Sequence, residues 1–322
     1  MSLILTSVKV CVIVMHKKEF MNLVVYMEQH FMAVKYDFHE KEILNNCRKI
    51  CQRMIHAFIA AQIGNNESTR ELPFNMWINI LLQSPYYELI FFAQIMSLSY
   101  IGICYFCFDN VFCVMAIHLG GQFRILRYRF SELCNIKYQI SEQDKMSILT
   151  KHVHRTYETF RKYVQQHQAL INYYNSLENV YTVIILIQVL VFSVLICLFG
   201  YQVLLKSSIA NTNSARRSIF VFLLIGALSL LFMFTYSCDD VIEHSDNVAI
   251  GAYSALWTIM PMNKHGKMLR NDLIMTIERS RRVCCLTANG FFPVSLETYT
   301  KILSTAMSYF TLLSNNVTKN ET

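Results

Sequence analysis

Long apolar segments alternate with long polar segments along this chain. A helix needs about 20 apolar residues to cross the hydrocarbon core of a membrane. Four segments reach or approach that length: residues 89–118, 180–205, 218–237 and, marginally, 299–314. Lys301, near one end of the last segment, can extend its amine to the interface. The pattern predicts an all-α, polytopic helical membrane protein.

Two more apolar segments, residues 1–15 and 54–64, are too short to cross on their own. The second would form about 16 Å of helix, roughly half of a span. A signal peptide is the alternative for the first. However, Lys17 and Lys18 follow the apolar run, whereas a signal peptide carries its basic residues before it. We therefore expect two partial spans and four fuller ones in a single membrane domain over residues 1–322.

Composition supports this class of protein. Hydrophobic residues make up 54% of the chain and charged residues 16%, whereas about a quarter of a soluble domain is charged. The 11 cysteines lie in apolar or basic segments, so we expect free thiols rather than disulfides. No cysteine or histidine spacing matches a zinc site, and neither a metal nor a cofactor is expected.

Basic residues indicate which segments face the cytoplasm. Of the 29 lysines and arginines, 22 lie in three polar segments, residues 16–53, 119–177 and 238–296. Segments rich in lysine and arginine face the cytoplasm in membrane proteins. The amphipathic stretch in the second segment suits either a solvated helix face or packing between subunits.

Three N-glycosylation sequons, at Asn66, Asn316 and Asn320, fall in the base-poor segments. Glycans are attached in the secretory lumen, so these segments should lie outside the cell. The carboxy-terminus is then external, which is the reverse of a G-protein-coupled receptor. Charge and sequons thus predict the same orientation.

Acidic residues stand at two positions where chemistry could occur. Asp109 lies toward the cytoplasmic part of its helix. It is either a functional intramembrane carboxylate or a helix-end acid at the interface. The acidic run 239–246, which starts with Asp239 and Asp240, resembles a metal cluster. A solvated helix extension is favoured for it. No catalytic motif is present, so no catalytic residue is named and an enzyme is not expected.

Binding of small apolar molecules fits the sequence better than catalysis does. Such ligands need a mainly apolar, aromatic-lined pocket with few polar groups. The outer halves of two spans supply the candidate ligand-binding residues, which are Phe92, Ile95, Met96, Ser99, Phe220 and Leu224. The alternative is that these side chains face lipid or neighbouring helices.

The last span carries small hydroxyl residues, among them Thr305 and Ser308, between apolar residues. Small hydroxyl side chains let helices approach closely. They also line water paths, which an apolar residue such as Leu312 can close by dewetting. Composition does not choose between the two.

Three stretches resemble insect odorant receptors. They are Leu-Pro-Phe-x-x-Trp at 72–77, His-Leu-Gly-Gly-Gln-Phe-Arg from 118, and Phe-Pro-Val-Ser-Leu-Glu-Thr-Tyr at 292–299 with its continuation to 313. The last is the most specific. With the spacing of the spans, the resemblance covers nearly the whole chain.

The resemblance implies a seven-helix bundle with a cytosolic amino-terminus, an external carboxy-terminus and a place in the plasma membrane of sensory dendrites. Members of that family are odorant-gated, non-selective cation channels that form heterotetramers with a shared co-receptor. They bind small volatile molecules in the outer half of the bundle and need no cofactor or nucleic acid. Their last helix lines the pore, so Thr305, Ser308, Tyr309 and Leu312 become pore candidates, and residues 279–292 become part of the cytoplasmic anchor.

The chain departs from the family pattern at two places. The first helix is missing, and the third looks shortened where 54–64 runs into the Asn66 loop. Three alternatives are a gustatory-type channel, a G-protein-coupled receptor and a transporter. The gustatory motif has Gln-Phe where this chain has Thr305-Ala306. The orientation argues against the second alternative, and the lack of internal repeats argues against the third.

Overall fold

A computed structural model describes residues 2–32, 36, 38–63, 86–134, 145–208, 214–255, 257–259 and 263–320. The described chain is helical, as predicted, with one isolated antiparallel bridge between Thr287 and Pro293. The α-helices, in chain order, are α1 Ser2–Met15, α2 Lys17–Tyr26, α3 Phe38–Ile63, α4 Tyr86–Ser131, α5 Lys145–Ser208, α6 Ser214–Ser254, α7 Lys264–Ser280 and α8 Leu296–Asn320. A π-helical turn, Met27–Met32, continues α2, and a 3-10 turn, Trp257–Ile259, precedes α7.

Three helices are much longer than the hydrocarbon core is thick. α4, α5 and α6 have 46, 64 and 41 residues, which gives lengths of about 60 to 96 Å at 1.5 Å per residue. A core of about 30 Å leaves half or more of each helix outside it. The predicted spans are therefore the apolar parts of helices that continue into charged segments.

Two other predicted segments also belong to longer helices. Residues 54–64 contain the last turns of α3, which has 26 residues and starts at Phe38. No proline or glycine lies within Phe38–Ile63, so α3 runs without a break through its polar residues. The marginal span 299–314 lies inside α8, which runs from Leu296 to Asn320.

By length and composition, two described stretches could cross a membrane, Val153–Val203 and Phe220–Ser254, and Thr6–Met15 is a shorter apolar helix. An apolar stripe on α5 supports the first. Leu190, Val194 and Leu198, spaced four residues apart, are 54%, 43% and 50% exposed. Residues at that spacing share one helix face, and in a membrane this face would contact lipid.

The buried side chains form two cores. The main core joins α1, α4, α5, α6 and α7 with the segment before α8, and its largest fully buried members include Phe112, Leu119, Phe123, Tyr181 and Phe234. The second core joins α5, α6 and α8 through Phe192, Ile196, Ala227, Leu231 and Ala306. The seven cysteines with described side chains are free, in line with the prediction.

An ion pair attaches α3 to α4. Arg129 donates two hydrogen bonds to the Glu40 carboxylate, at 2.6 and 3.1 Å. Glu40 is 5% exposed, and paired bonds from a guanidinium are among the strongest that a carboxylate can accept. Directed polar bonds thus hold the first turn of α3 against α4.

Candidate functional site

The last helix, α8, has two different faces. Ile302, Ala306 and Phe310, spaced four residues apart, pack against the cores formed with α5 and α6. Thr305, Ser308 and Tyr309 are exposed, and Tyr309 is 56% exposed. The described part of the chain therefore leaves the face that carries Thr305, Ser308 and Tyr309 uncovered. The side chain of Leu312 lies outside the described residues.

Hydroxyl groups on the uncovered face bond to their own helix. Thr305, Ser308 and Thr311 donate to the carbonyl four residues earlier, at 2.8, 2.9 and 2.8 Å. Each hydroxyl proton is therefore satisfied locally, and the oxygen lone pairs remain directed outward. Such a face suits contact with water or cations, and it suits close packing against another helix equally well.

A small hairpin leads into α8. Ala288 donates to the Phe292 carbonyl and Val294 to the Leu286 carbonyl, both at 2.9 Å. The turn lies at Asn289 and Gly290, whose φ angles of 52° and 76° are in the left-handed region that asparagine and glycine tolerate best.

Three side chains of the hairpin are fully buried. Leu286, Ala288 and Val294 are each 0% exposed, whereas Phe291 at the turn is 74% exposed. Burial raises the pKa of the Cys284 thiol to about 11, so this thiol stays protonated at neutral pH. The family-like motif at 292–299 therefore begins in a fixed connection and ends in the first turn of α8.

Polar bonds fasten this hairpin to α5. Glu178 accepts from Thr287 at 2.6 Å and from the Tyr174 hydroxyl. The Tyr174 hydroxyl has a single proton and shares it between Glu178 and the Cys285 carbonyl oxygen, which lies 2.9 Å away. Asn289 donates its backbone N–H to the Thr182 hydroxyl at 2.9 Å. One face of α5 thus fixes the first strand and the turn of the hairpin.

The acidic run 239–246 is part of the packed interior at its start, so the expectation of a solvated helix extension was wrong there. Asp239 accepts from the backbone N–H of Leu296 at 3.3 Å, at the positive end of the α8 dipole. Asp240 is 8% exposed. Its carboxylate lies 3.6 Å from Arg124 and 3.4 Å from His244.

Gly120 makes room for Asp240. A Cβ atom at Gly120 would lie 2.1 Å from Oδ2 of Asp240, so only glycine lets the carboxylate reach this position. Nearby, Gln122 donates to Tyr36 at 2.8 Å. The family-like stretch that begins at His118 therefore supplies the close approach and the polar partners that hold α4 to α6. In the described part of the chain, no three potential ligands converge as a metal ion would require.

Asp109 is the centre of a buried polar cluster. The Lys9 amine on α1 lies 2.6 Å from one oxygen of Asp109, and the Gln188 amide on α5 donates to the other at 3.1 Å. Lys9 is 0% and Gln188 1% exposed. Asp109 is therefore buried and paired, rather than a helix-end acid at the interface.

Local sequence patterns indicate little of this cluster, because 100 residues separate Lys9 from Asp109. The one available signal was a lone lysine in one apolar helix and a lone aspartate in another.

The predicted ligand residues lie on two helices. Phe92, Ile95, Met96 and Ser99 belong to α4; of their side chains only that of Met96 is described, and it is 55% exposed. On α6, Phe220 is half-buried, and Leu224 packs against the second core. Leu224 therefore reaches the core that also holds Ala306 of α8.

The sequon residues are only partly described. Asn66 lies outside the described residues. Asn316 and Asn320 lie in the last turns of α8, and their side chains are not among those described.

A family model described as 7tm Odorant receptor matches residues 1–307. Among curated relatives, the chain is 27% identical to Odorant receptor 13a of Drosophila melanogaster, over 67% of this chain and 51% of that protein. It is 26% identical to Odorant receptor 10 of Aedes albopictus, over 76% of this chain and 60% of that protein. The chain thus spans between half and two thirds of the length of these relatives.

The fold is similar to that of a solved structure, the insect olfactory receptor OR5 from Machilis hrabei. The TM-score is 0.73 at 15% identity, and the match covers 97% of this chain and 78% of that one. A second structure of the same receptor, in complex with eugenol, matches with a TM-score of 0.71. At this identity the likeness shows the fold alone.

Proposed function

The chain belongs to the 7tm odorant receptor family, and we propose that it is a subunit of an odorant-gated, non-selective cation channel. In this proposal it acts beside a shared co-receptor in a heterotetramer. The subunit lies in the plasma membrane of a sensory neuron, with its carboxy-terminus outside. Membership in this family favours a receptor over a transporter or an enzyme.

One observation carries the channel proposal: α8 buries its apolar stripe and leaves its hydroxyl-bearing face uncovered. A membrane helix with a polar face needs water or another protein against that face. If four subunits surround an axis, this face is available to line a path along it. Thr305, Ser308, Tyr309 and Leu312 are the proposed pore residues.

The polar bonds at the start of α8 support the same proposal. Its first turn is tied to α6 through Asp239, and the preceding hairpin is tied to α5 through Glu178. A pore helix needs such a fixed base, because its displacement must follow the bundle that senses the ligand.

We propose that odorant binds between the outer parts of α4 and α6. The proposed contacts are Phe92, Ile95, Met96, Ser99, Phe220 and Leu224. Since Leu224 packs at the second core, a ligand beside it would press on the core that holds α8. Glycosylation is proposed at Asn66, Asn316 and Asn320.

The test is electrophysiology in cells that express the chain with and without an insect odorant co-receptor. A panel of volatiles that includes eugenol, the compound bound to OR5, should evoke cation current only when both chains are present. Substitution of Ser308 by valine should change the relative permeability of Na⁺ and Ca²⁺ if α8 lines the path. Responses that require G-proteins and carry no channel current would overturn the proposal.

Orientation has its own test. An epitope fused after Thr322 should be detected by antibody on intact cells. Detection only after permeabilisation would place the carboxy-terminus in the cytoplasm and remove the basis for the inverted arrangement.

A further inference from the structure

Phe310 of α8 lies directly on the backbone of α5 at Gly200. A Cβ atom placed on Gly200 would be 2.0 Å from Cζ of Phe310, and 2.5 and 2.7 Å from the adjacent ring carbons. Carbon atoms in favourable contact stand about 3.5–4.0 Å apart. The ring tip therefore fills the space that any other residue at position 200 would need.

This contact lies in the half of α8 that the hairpin does not reach. The polar attachment of α8 is at Leu296, and 14 residues of helix separate it from Phe310, about 21 Å. Along the packed stripe, Ile302 and Ala306 come first and Phe310 last. A shift of α5 relative to α8 must therefore move the ring, since no flexible side chain lies between the ring and the α5 backbone.

We infer that Phe310 seated against Gly200 is the positioning contact through which α5 holds α8 in its resting place and moves it on activation. This inference rests on the proposed channel function, because it concerns the helix proposed to line the path. A methyl group at position 200 displaces the ring and loosens the resting position of α8. Removal of the Phe310 ring also loosens the resting position of α8, because the contact with Gly200 is lost.

Two glycine variants in the spanning helices test it. Gly200→Ala places a methyl group in the space that the Phe310 ring occupies. Gly226→Ala on α6 is the matched control, since no described atom lies within 4 Å of its added Cβ. The readout is Na⁺ conductance without any odorant, in cells that also express the co-receptor. Gly200→Ala should raise it about tenfold, which corresponds to ~1.4 kcal/mol, while Gly226→Ala should match the unmodified chain.

The double variant decides whether the two residues act through one contact. Phe310→Ala alone should also raise the unliganded conductance. In the Phe310→Ala background the methyl of Gly200→Ala fits into the space that the ring leaves, so it should add nothing further. Contacting residues show this non-additivity, and independent ones do not. Equal conductance of Gly200→Ala and Gly226→Ala, or multiplied effects in the double variant, would overturn the inference.

A second readout does not depend on conduction. Apparent Tm in detergent, measured by size-exclusion chromatography of fluorescent fusions, should fall in Gly200→Ala and in Phe310→Ala, and the methyl should cause no further fall in the Phe310→Ala background. If Gly200→Ala does not reach the surface, equal Tm values for Phe310→Ala and the double variant support the contact, and additive losses reject it. If the unmodified chain conducts with its co-receptor but the effects of Gly200→Ala and Phe310→Ala are additive in the double variant, only this inference fails. If the unmodified pair never conducts, the channel proposal fails.

Discussion

The two ends of α8 are attached in different ways. At its base, the preceding hairpin belongs to the main core and is bonded to Glu178, and Leu296 of α8 is bonded to Asp239. Farther along, α8 meets a second core of 5 buried residues, whereas the main core has 35 among the described residues. Directed polar bonds define one geometry, while a small apolar contact between helices permits more than one packing. A fixed base with a lightly held far half is the arrangement that a movable pore helix needs.

The comparison predicts that changes in the main core act on folding and that changes in the second core act on gating. The largest effect should come from Asp109→Leu, which leaves the Lys9 amine buried without its carboxylate. Breaking such a pair from one side costs about 3–5 kcal/mol, so little protein should reach the cell surface in a surface-biotinylation assay.

Its control is the double variant Lys9→Met with Asp109→Leu, which removes both charges at similar volume. Surface expression should recover substantially, since an apolar pair replaces the ion pair. If Asp109→Leu alone is expressed as well as the unmodified chain, the polar cluster does not hold α1 in the bundle.

Gly251→Ala should be the next most damaging change. Its Cβ would lie 2.5 Å from the carbonyl oxygen of Arg127, which is backbone and cannot turn aside. Forcing atoms into a packed site costs about 1–3 kcal/mol, so the apparent Tm should fall by several degrees. Unliganded conductance per surface channel should stay at the level of Gly226→Ala, unlike that of Gly200→Ala. Raised conductance in Gly251→Ala would contradict the prediction that changes in the main core act on folding and only changes in the second core act on gating.

Thr287→Val tests the base of α8 itself. Valine keeps the shape of threonine but can neither donate to Glu178 nor accept from the Gly290 backbone N–H, at 3.1 Å. The bond to the charged Glu178 is the stronger of the two and contributes about 1.5–3 kcal/mol. The expected result is a lower apparent Tm, toward the smaller end of that range because Tyr174 still donates to the carboxylate. Thr300→Val is the matched control, since the hydroxyl bond described for Thr300 lies within α8, to the Glu297 carbonyl at 2.9 Å. Equal Tm values for the two variants would mean that the hairpin bond contributes nothing.

These contrasts also show what the sequence could and could not predict. Hydropathy identified helices α4, α5, α6 and α8, because crossing a membrane requires long apolar runs whatever their partners are. It did not predict where the helices end. Charged turns remain helical when their side chains bond to a neighbouring helix, as Glu40 of α3 does with Arg129 of α4.

The site was predictable only in part, for the same reason. The hydroxyl residues of α8 were visible as a local pattern. The seat of Phe310 at Gly200 and the pairing of Lys9 with Asp109 depend on distant segments that no local pattern records.

Adjacent aspartates provide the finest test of the comparison, with the smallest effect. Asp239→Ala removes one acceptor at the start of α8, where a carboxylate near a helix amino-terminus contributes about 0.3–1 kcal/mol. Asp240→Ala should destabilise the protein more, because the half-buried Arg124 and the buried His244 then both lose the carboxylate they face. Apparent Tm should therefore fall further in Asp240→Ala than in Asp239→Ala, and unliganded conductance per surface channel should stay at the level of Gly226→Ala in both. The reverse order of Tm values would show that the base of α8, rather than the contact between α4 and α6, carries the greater share of the stability in this region.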